Sequence, residues 1–195
     1  MSARQPRRSE PRSKPSRLAR SVKRAPTEAP RQSLRVAIGA DHGGFELKGT
    51  LVAYLQQLGY EVGDLGTHSP EPCDYPIIAW KVAAAVAAKQ FDRGVLLCKS
   101  GIGIAIAANK VPGIRAGVCN DESDAAKSRQ HNDANVLVIG AEKISEAKAK
   151  TIVKIWFATP FEGGRHERRV QQIEEIEQAI LKQCGGTRSN NVATS

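Results

Sequence analysis

A cysteine that ends an apolar run and opens a glycine-rich turn has chemical uses. The stretch Val95-Leu96-Leu97-Cys98-Lys99-Ser100-Gly101-Ile102-Gly103 has that form, and the small-residue helix Ile104 to Ala108 follows it. A buried strand that breaks into a helix-opening turn aims backbone N–H groups at one point and adds the positive end of the helix dipole, so an anion belongs there. In that field the Cys98 thiol is expected to ionise more easily than a free cysteine, which makes it a candidate nucleophile or base. The plain alternative is a tight turn around a structural cysteine.

Three further segments carry polar groups suited to a site. Asp41-His42-Gly43-Gly44 sets a carboxylate beside an imidazole, a pair able to manage hydroxyl protons, although aspartate also serves as a helix N-cap. Ser128-Arg129-Gln130-His131-Asn132-Asp133 reads as a polar helix exit or as a ligand-binding rim. Arg165-His166-Glu167-Arg168-Arg169 puts Arg165 and Arg169 four apart on one helical face, able to converge on one anion. Cations at a helix start oppose the dipole, which favours function over a solvated basic face.

The apolar spacing supplies the elements that would position these groups. Leu34 to Gly39 reads as a strand; Phe45, Leu47, Leu51, Val52, Leu55 and Leu58 then recur at helical spacing up to Gly59. Further strands are expected at Tyr60 to Leu65, Gly94 to Leu97, Gly113 to Val118 and Asn135 to Ile139. Helices are expected at Ile77 to Ala88, Ser123 to Arg129, 144 to 158 and Glu167 to Gln183. Five β-runs alternating with helices predict an α/β fold with a parallel sheet covered on both faces, because parallel neighbours need helical crossovers. Ligands of such sheets sit at the carboxyl ends of the strands. Asp41-His42, Cys98 to Gly103 and Cys119-Asn120-Asp121 fall at three of those ends.

The formal charge of +9 over 195 residues suggests a polyanion partner until it is divided along the chain. Residues 1–35 hold eleven Lys/Arg and two Asp/Glu, whereas 36–195 hold eighteen of each. The body is neutral, so only the extension could bind nucleic acid, and then nonspecifically. Residues 1–34 carry five of the ten prolines and six serines, and are expected to form a disordered basic extension. Their composition allows an organelle transit peptide, although the prolines oppose the amphipathic helix such peptides form. An ordered domain is expected at 35–183 and a flexible tail at 184–195. The four cysteines show no zinc spacing and read as free thiols in a reducing compartment. No apolar run approaches the ~20 residues that span a bilayer.

Taken together, the segments GADHGGFELK, DYP, CKSGIG, AANKVPGIRA, SRQHNDANVL and FEGGRHERR resemble the ribose-5-phosphate isomerase type B family, which includes galactose-6-phosphate isomerase subunits. The resemblance spans about residues 35 to 180. It implies a Rossmann-like αβα sandwich with a five-stranded parallel sheet, a cytoplasmic homodimer or tetramer with shared active sites, and interconversion of aldose and ketose phosphates without metal or cofactor. Moving a carbonyl from C1 to C2 requires a base that takes a proton from the neighbouring carbon, forms a cis-enediolate and returns the proton. By resemblance that base is Cys98, with Ser100 and the backbone around Gly101 and Gly103 stabilising the negative oxygen. Asp41 and His131 match residues implicated in ring opening, His42 one associated with phosphate, and Tyr75 and Asn132 substrate contacts. Arg165 and Arg169 match phosphate ligands, which the partner subunit would supply together with His131 and Asn132.

Two positions depart from the pattern. Lys99 stands where the family usually has glycine, and Glu142, followed by Lys143, where it has a phosphate-binding arginine. The reversal at Glu142 should weaken phosphate binding unless Lys99 or Lys143 restores it, which leaves open another substrate: allose 6-phosphate, galactose 6-phosphate or a tetrose phosphate. A non-catalytic sugar-phosphate-binding protein is the competing class, but a mere binder has no need of Cys98 as a base. A dinucleotide enzyme is disfavoured, since no GxGxxG follows the first strand.

Overall fold

The computed structural model describes residues 33–186, with side chains to Cys184, together with Met1. Two units divide the chain, Met1–Arg31 and Gln32–Ser195, and every element lies in the second. The expected disorder of the extension falls, but for its ends, outside the described residues.

The elements alternate as expected: β1 (Arg35–Ala40), α1 (Phe45–Gln57), β2 (Glu61–Asp64), α2 (Tyr75–Ala87), β3 (Arg93–Cys98), α3 (Ile102–Ala108), β4 (Ala116–Val118), α4 (Glu122–Asn132), β5 (Val136–Gly140), α5 (Glu146–Ala158) and α6 (Arg165–Gly186). All five strands pair in parallel, in the order β2-β1-β3-β5-β4. Alternate residues of a strand face opposite ways, and the core divides accordingly. Val36, Ile38, Val95, Leu97, Leu137 and Ile139 meet Leu51 and Leu55 of α1 and Ile152 and Trp156 of α5. Ala37, Leu96, Cys98, Val136 and Val138 meet Ile78 and Val82 of α2 and Ile104 of α3 on the other face. This is the expected three-layer αβα sandwich.

The strand order reverses between β1 and β3. The chain leaves β1 for α1 on one face and leaves β3 for α3 on the other, which opens a crevice where such folds bind ligands. Asp41 and Cys98 stand at its two edges, and Asp41 N–H donates to the Leu97 carbonyl at 3.2 Å.

Several boundaries differ from the expected ones. β4 begins at Ala116 rather than Gly113, because Gly113 has φ 80° and Arg115 N–H donates to the Asn135 side chain rather than to a strand partner. α2 begins at Tyr75, since Pro76 is tolerated in a first turn, where its missing N–H costs nothing. α6 begins at Arg165 and runs past 183, so Cys184 belongs to a helix and not to a flexible tail; no breaker precedes Gly185-Gly186. Residues 187–195 lie outside the described residues.

Candidate active site

Cys98 ends β3 at 5% exposure, and its sulphur accepts the Gly101 N–H at 3.1 Å. Ser100 Oγ accepts the Ile102 N–H at 3.3 Å. Gly101 has φ 80°, a left-handed turn that glycine adopts freely. A Cβ at Gly103 would stand 2.7 Å from Tyr75 Cζ, so the ring and the start of α3 touch only because that residue has no side chain. The N–H groups of Gly103 and Ile104 belong to the first turn of α3 and have no partner among the described residues. They are the donors available to a negative oxygen.

Across the crevice, Asp41 is 6% exposed and its Oδ1 accepts the N–H groups of Gly43 (2.9 Å) and Gly44 (3.2 Å). It is therefore a cap, as its residue type allows, but Oδ2 accepts no hydrogen bond among the described residues and is left for other work. His42 Nδ1 accepts the Cys73 N–H at 3.3 Å, so the ring's proton sits on Nε2, where it can be donated. Asp41, His42, Tyr75, Cys98, Ser100, Gly101 and Gly103 thus form one group around the β1–β3 crevice.

The third loaded strand end proves structural. Asp121 caps α4 through the Asp124 N–H at 2.8 Å, and Asn120 N–H donates to Asp124. Cys119 is buried beside Ser128 Oγ, and desolvation pushes its thiol up to about 11. It is a protonated packing residue at neutral pH.

His131 belongs to a second group. Its ring stacks on His166 with centroids 4.2 Å apart and planes 6° apart. Arg165 Nε donates to His166 Nε2 at 3.2 Å. Burial holds the His166 imidazole below its usual proton affinity, and the neighbouring His131, Arg165 and Arg169 act in the same direction. Asp133, the left-handed C-cap of α4, fixes the loop: Arg129 reaches its Oδ1 at 2.7 Å and Arg115 its Oδ2 at 3.0 Å. Asn132 is exposed, its carbonyl taken by Arg115, on a cleft of about 420 Å³ beside Ile173 and Ile176. Among the described residues no hydrogen bond or ion pair joins this group to the Cys98 group.

Two features escaped sequence reasoning. His166 was visible only as part of a basic helix start, although it is the buried partner of His131. Glu162 lies with its Oε2 at 3.9 Å from His131 Nε2 and 4.0 Å from His166 Nε2. These three ligand atoms, all within 4.8 Å of one another, form the one group of metal-ligand spacing among the described residues. The Arg165 donor already occupies the His166 lone pair, so that ring is not free to ligate a cation. The two departures from the family pattern also meet: Lys99 Nζ lies 3.8 Å from Glu142 Oε1.

The family described as ribose/galactose isomerase matches residues 36–173. The chain is 51% identical over 144 residues to ribose-5-phosphate isomerase B of Escherichia coli strain K12, covering 74% of this chain and 97% of that protein. It is 42% identical to the D-erythrulose-4-phosphate isomerase of Pectobacterium atrosepticum, covering 72% of this chain and 93% of that one. The solved structure of Clostridium thermocellum ribose-5-phosphate isomerase B superposes with a TM-score of 0.74 at 48% identity, over 75% of this chain and 99% of that one.

Proposed function

The chain belongs to the ribose/galactose isomerase family as a sugar-phosphate isomerase, and we propose that it converts ribose 5-phosphate to ribulose 5-phosphate with Cys98 as the base. The observation that carries this is the Cys98 turn: a buried sulphur held by the Gly101 N–H beside two N–H groups of a helix start that have no partner among the described residues. The Cys98 thiolate takes the proton from C2 of the open aldose, and the carbonyl oxygen on C1 gains the negative charge of the enediolate. Gly103 N–H, Ile104 N–H and Ser100 hold that oxygen. Returning the proton to C1, while the C2 hydroxyl proton passes to the oxygen on C1, yields the ketose and regenerates the thiolate.

Asp41 Oδ2 and His131 share the two proton transfers of ring opening, one taking the anomeric hydroxyl proton and the other giving a proton to the ring oxygen, and His42 donates from Nε2 to the substrate. Tyr75 and Asn132 contact the sugar, while Arg165 and Arg169 hold the phosphate. As the resemblance to this family implies, a second copy of the chain supplies the His131 group, which no hydrogen bond or ion pair joins to the Cys98 group among the described residues. Exposed apolar residues next to both groups support a homodimer: Ile102 and Ile106 on α3, Ile173 and Ile176 on α6. No helix among the described residues is long and apolar enough to cross a membrane. Four free cysteines suit the reducing cytoplasm.

Incubating the purified chain with ribose 5-phosphate in D2O tests the reaction: ribulose 5-phosphate should form and carry deuterium at C1. Absence of turnover would refute the substrate. A second reading, another sugar phosphate, is favoured by the Lys99–Glu142 pair, and a panel containing allose 6-phosphate, galactose 6-phosphate and D-erythrulose 4-phosphate, compared by kcat/KM, decides between them.

A further inference from the structure

We propose that Lys99 is a substrate-binding residue that takes the phosphate group of the sugar, with Glu142 as the counter-ion it leaves on doing so. This rests on the site being that of a sugar-phosphate isomerase.

Lys99 follows the proposed base directly, and its side chain lies outside the core. Its stem crosses the opposite edge of the crevice: a Cβ at Gly43 would collide with Lys99 Cγ. Gly43 is therefore the groove in which the stem runs, within the same turn that holds Asp41 and His42. From there the ammonium reaches Glu142, 3.8 Å away, on the turn after β5. Both ends of the pair are anchored through the backbone. Ala141 N–H donates to the Cys98 carbonyl at 2.8 Å and Glu142 N–H to the Lys99 carbonyl at 3.1 Å, continuing the register that pairs Cys98 with Gly140.

The lysine is thus a cation spanning the crevice mouth between the turns after β1, β3 and β5. Its side chain is 57% exposed and that of Glu142 62%. An ion pair so open to water adds little stability and is readily exchanged. A phosphate dianion offers two charges and several acceptor oxygens, and so competes well for the ammonium. The Glu142 carboxylate would repel the same dianion unless Lys99 stood between them. The two departures from the family pattern are then one exchange: a cation is kept at this mouth, carried by the residue after Cys98 instead of the residue at 142.

Calorimetric titration of the full chain with ribose 5-phosphate, inorganic phosphate and unphosphorylated ribose tests this without requiring turnover. Lys99→Met keeps the stem over Gly43 and removes only the charge; it should weaken both phosphate ligands roughly tenfold, about the worth of one charge-assisted hydrogen bond, and leave ribose unchanged. Lys99→Arg should stay within about threefold of the parent, and Glu142→Gln should tighten inorganic phosphate, because the competing carboxylate is gone. Parent affinity in Lys99→Met, a loss shared by ribose, or a parent that binds no phosphate overturns the proposal. Phosphate binding that depends on Lys99 in a protein that leaves ribose 5-phosphate unturned refutes the substrate and keeps the lysine's role.

Discussion

The imidazole of His131 lies flat on that of His166, 4.2 Å between centroids, and the inner ring of the pair is only 5% exposed. Two protonated rings so close would repel, and burial together with Arg165 and Arg169 keeps His166 neutral below its ordinary value of 6.5. The unfolded chain binds a proton there that the folded chain refuses, so stability should be full above about pH 6.5 and decline as the pH falls below it. Melting temperature measured from about pH 8 to about pH 5 should fall more steeply in the parent than in His166→Gln. Parallel slopes would remove His166 as the source.

Cys98 is expected to act in the chemical step and not in affinity. Cys98→Ala should lower kcat by roughly 10²–10⁴, the usual contribution of a positioned proton-transfer group, with KM little changed. Because the sulphur also caps the Gly101 N–H, Cys98→Ser keeps a polar acceptor at that place and separates loss of the base from loss of the turn. A kcat near that of the parent in either variant would take the cysteine out of the mechanism.

Cys119 offers the contrast. With its thiol pushed up to about 11 by burial, it is protonated at neutral pH, and only thiolates react readily. Iodoacetamide at about pH 8 should leave it unmodified in the folded protein, as read by peptide mass mapping. Cys119→Ala should keep kcat while costing about 1 kcal/mol of stability for the lost packing. Rapid labelling of Cys119 would contradict the burial argument.

The alternation of strands and helices was legible because the central strands are short apolar runs buried on both faces, whereas the helices repeat apolar residues at near-four spacing; the Cys98 turn stood out because ligands of such sheets sit at strand ends. The third strand end misled. Asp121 caps α4 as Asp41 caps the turn after β1, but the cysteine beside it, Cys119, is fully buried against Ser128 and is spent on packing. What separates them is solvent and partner geometry, which composition does not carry. The His131–His166 stack was invisible for a related reason: the two lie 35 positions apart, on α4 and α6, and no local period links them. Lys99 and Glu142 could have been paired from the sheet order alone, since β3 and β5 are neighbours in register at Cys98 and Gly140.

Gly103 should be intolerant of a side chain. A Cβ there would meet the Tyr75 ring at 2.7 Å, and overpacking of that kind costs typically 1–3 kcal/mol. Gly103→Ala should therefore lower Tm and raise KM by displacing Tyr75 from the crevice. Tyr75→Ala in the same chain should restore the melting temperature without restoring KM, since the clash goes but the substrate contact goes with it. Additive effects of the two substitutions would show that the ring and the helix start are independent.

Arg129 is the hidden support of the His131 loop. Its buried guanidinium donates to Asp133 Oδ1 at 2.7 Å and the Ala134 carbonyl at 2.6 Å, and it lies 5.3 Å from the Trp156 ring centre. Removing it leaves the buried Ala134 carbonyl without its donor and Asp133 held by Arg115 alone, a loss of about 3 kcal/mol by comparison with broken buried pairs. In a domain of this size that corresponds to a fall in Tm of roughly 6–12 °C. Arg129→Ala should show that fall and, because His131 sits one turn-end away from the cap, a loss of kcat that ring-opened substrate partly relieves. Arg129→Lys keeps the charge but not the fork, and should recover only part of the melting temperature. A kcat deficit equal for cyclic and open-chain substrates would place the damage elsewhere than at His131.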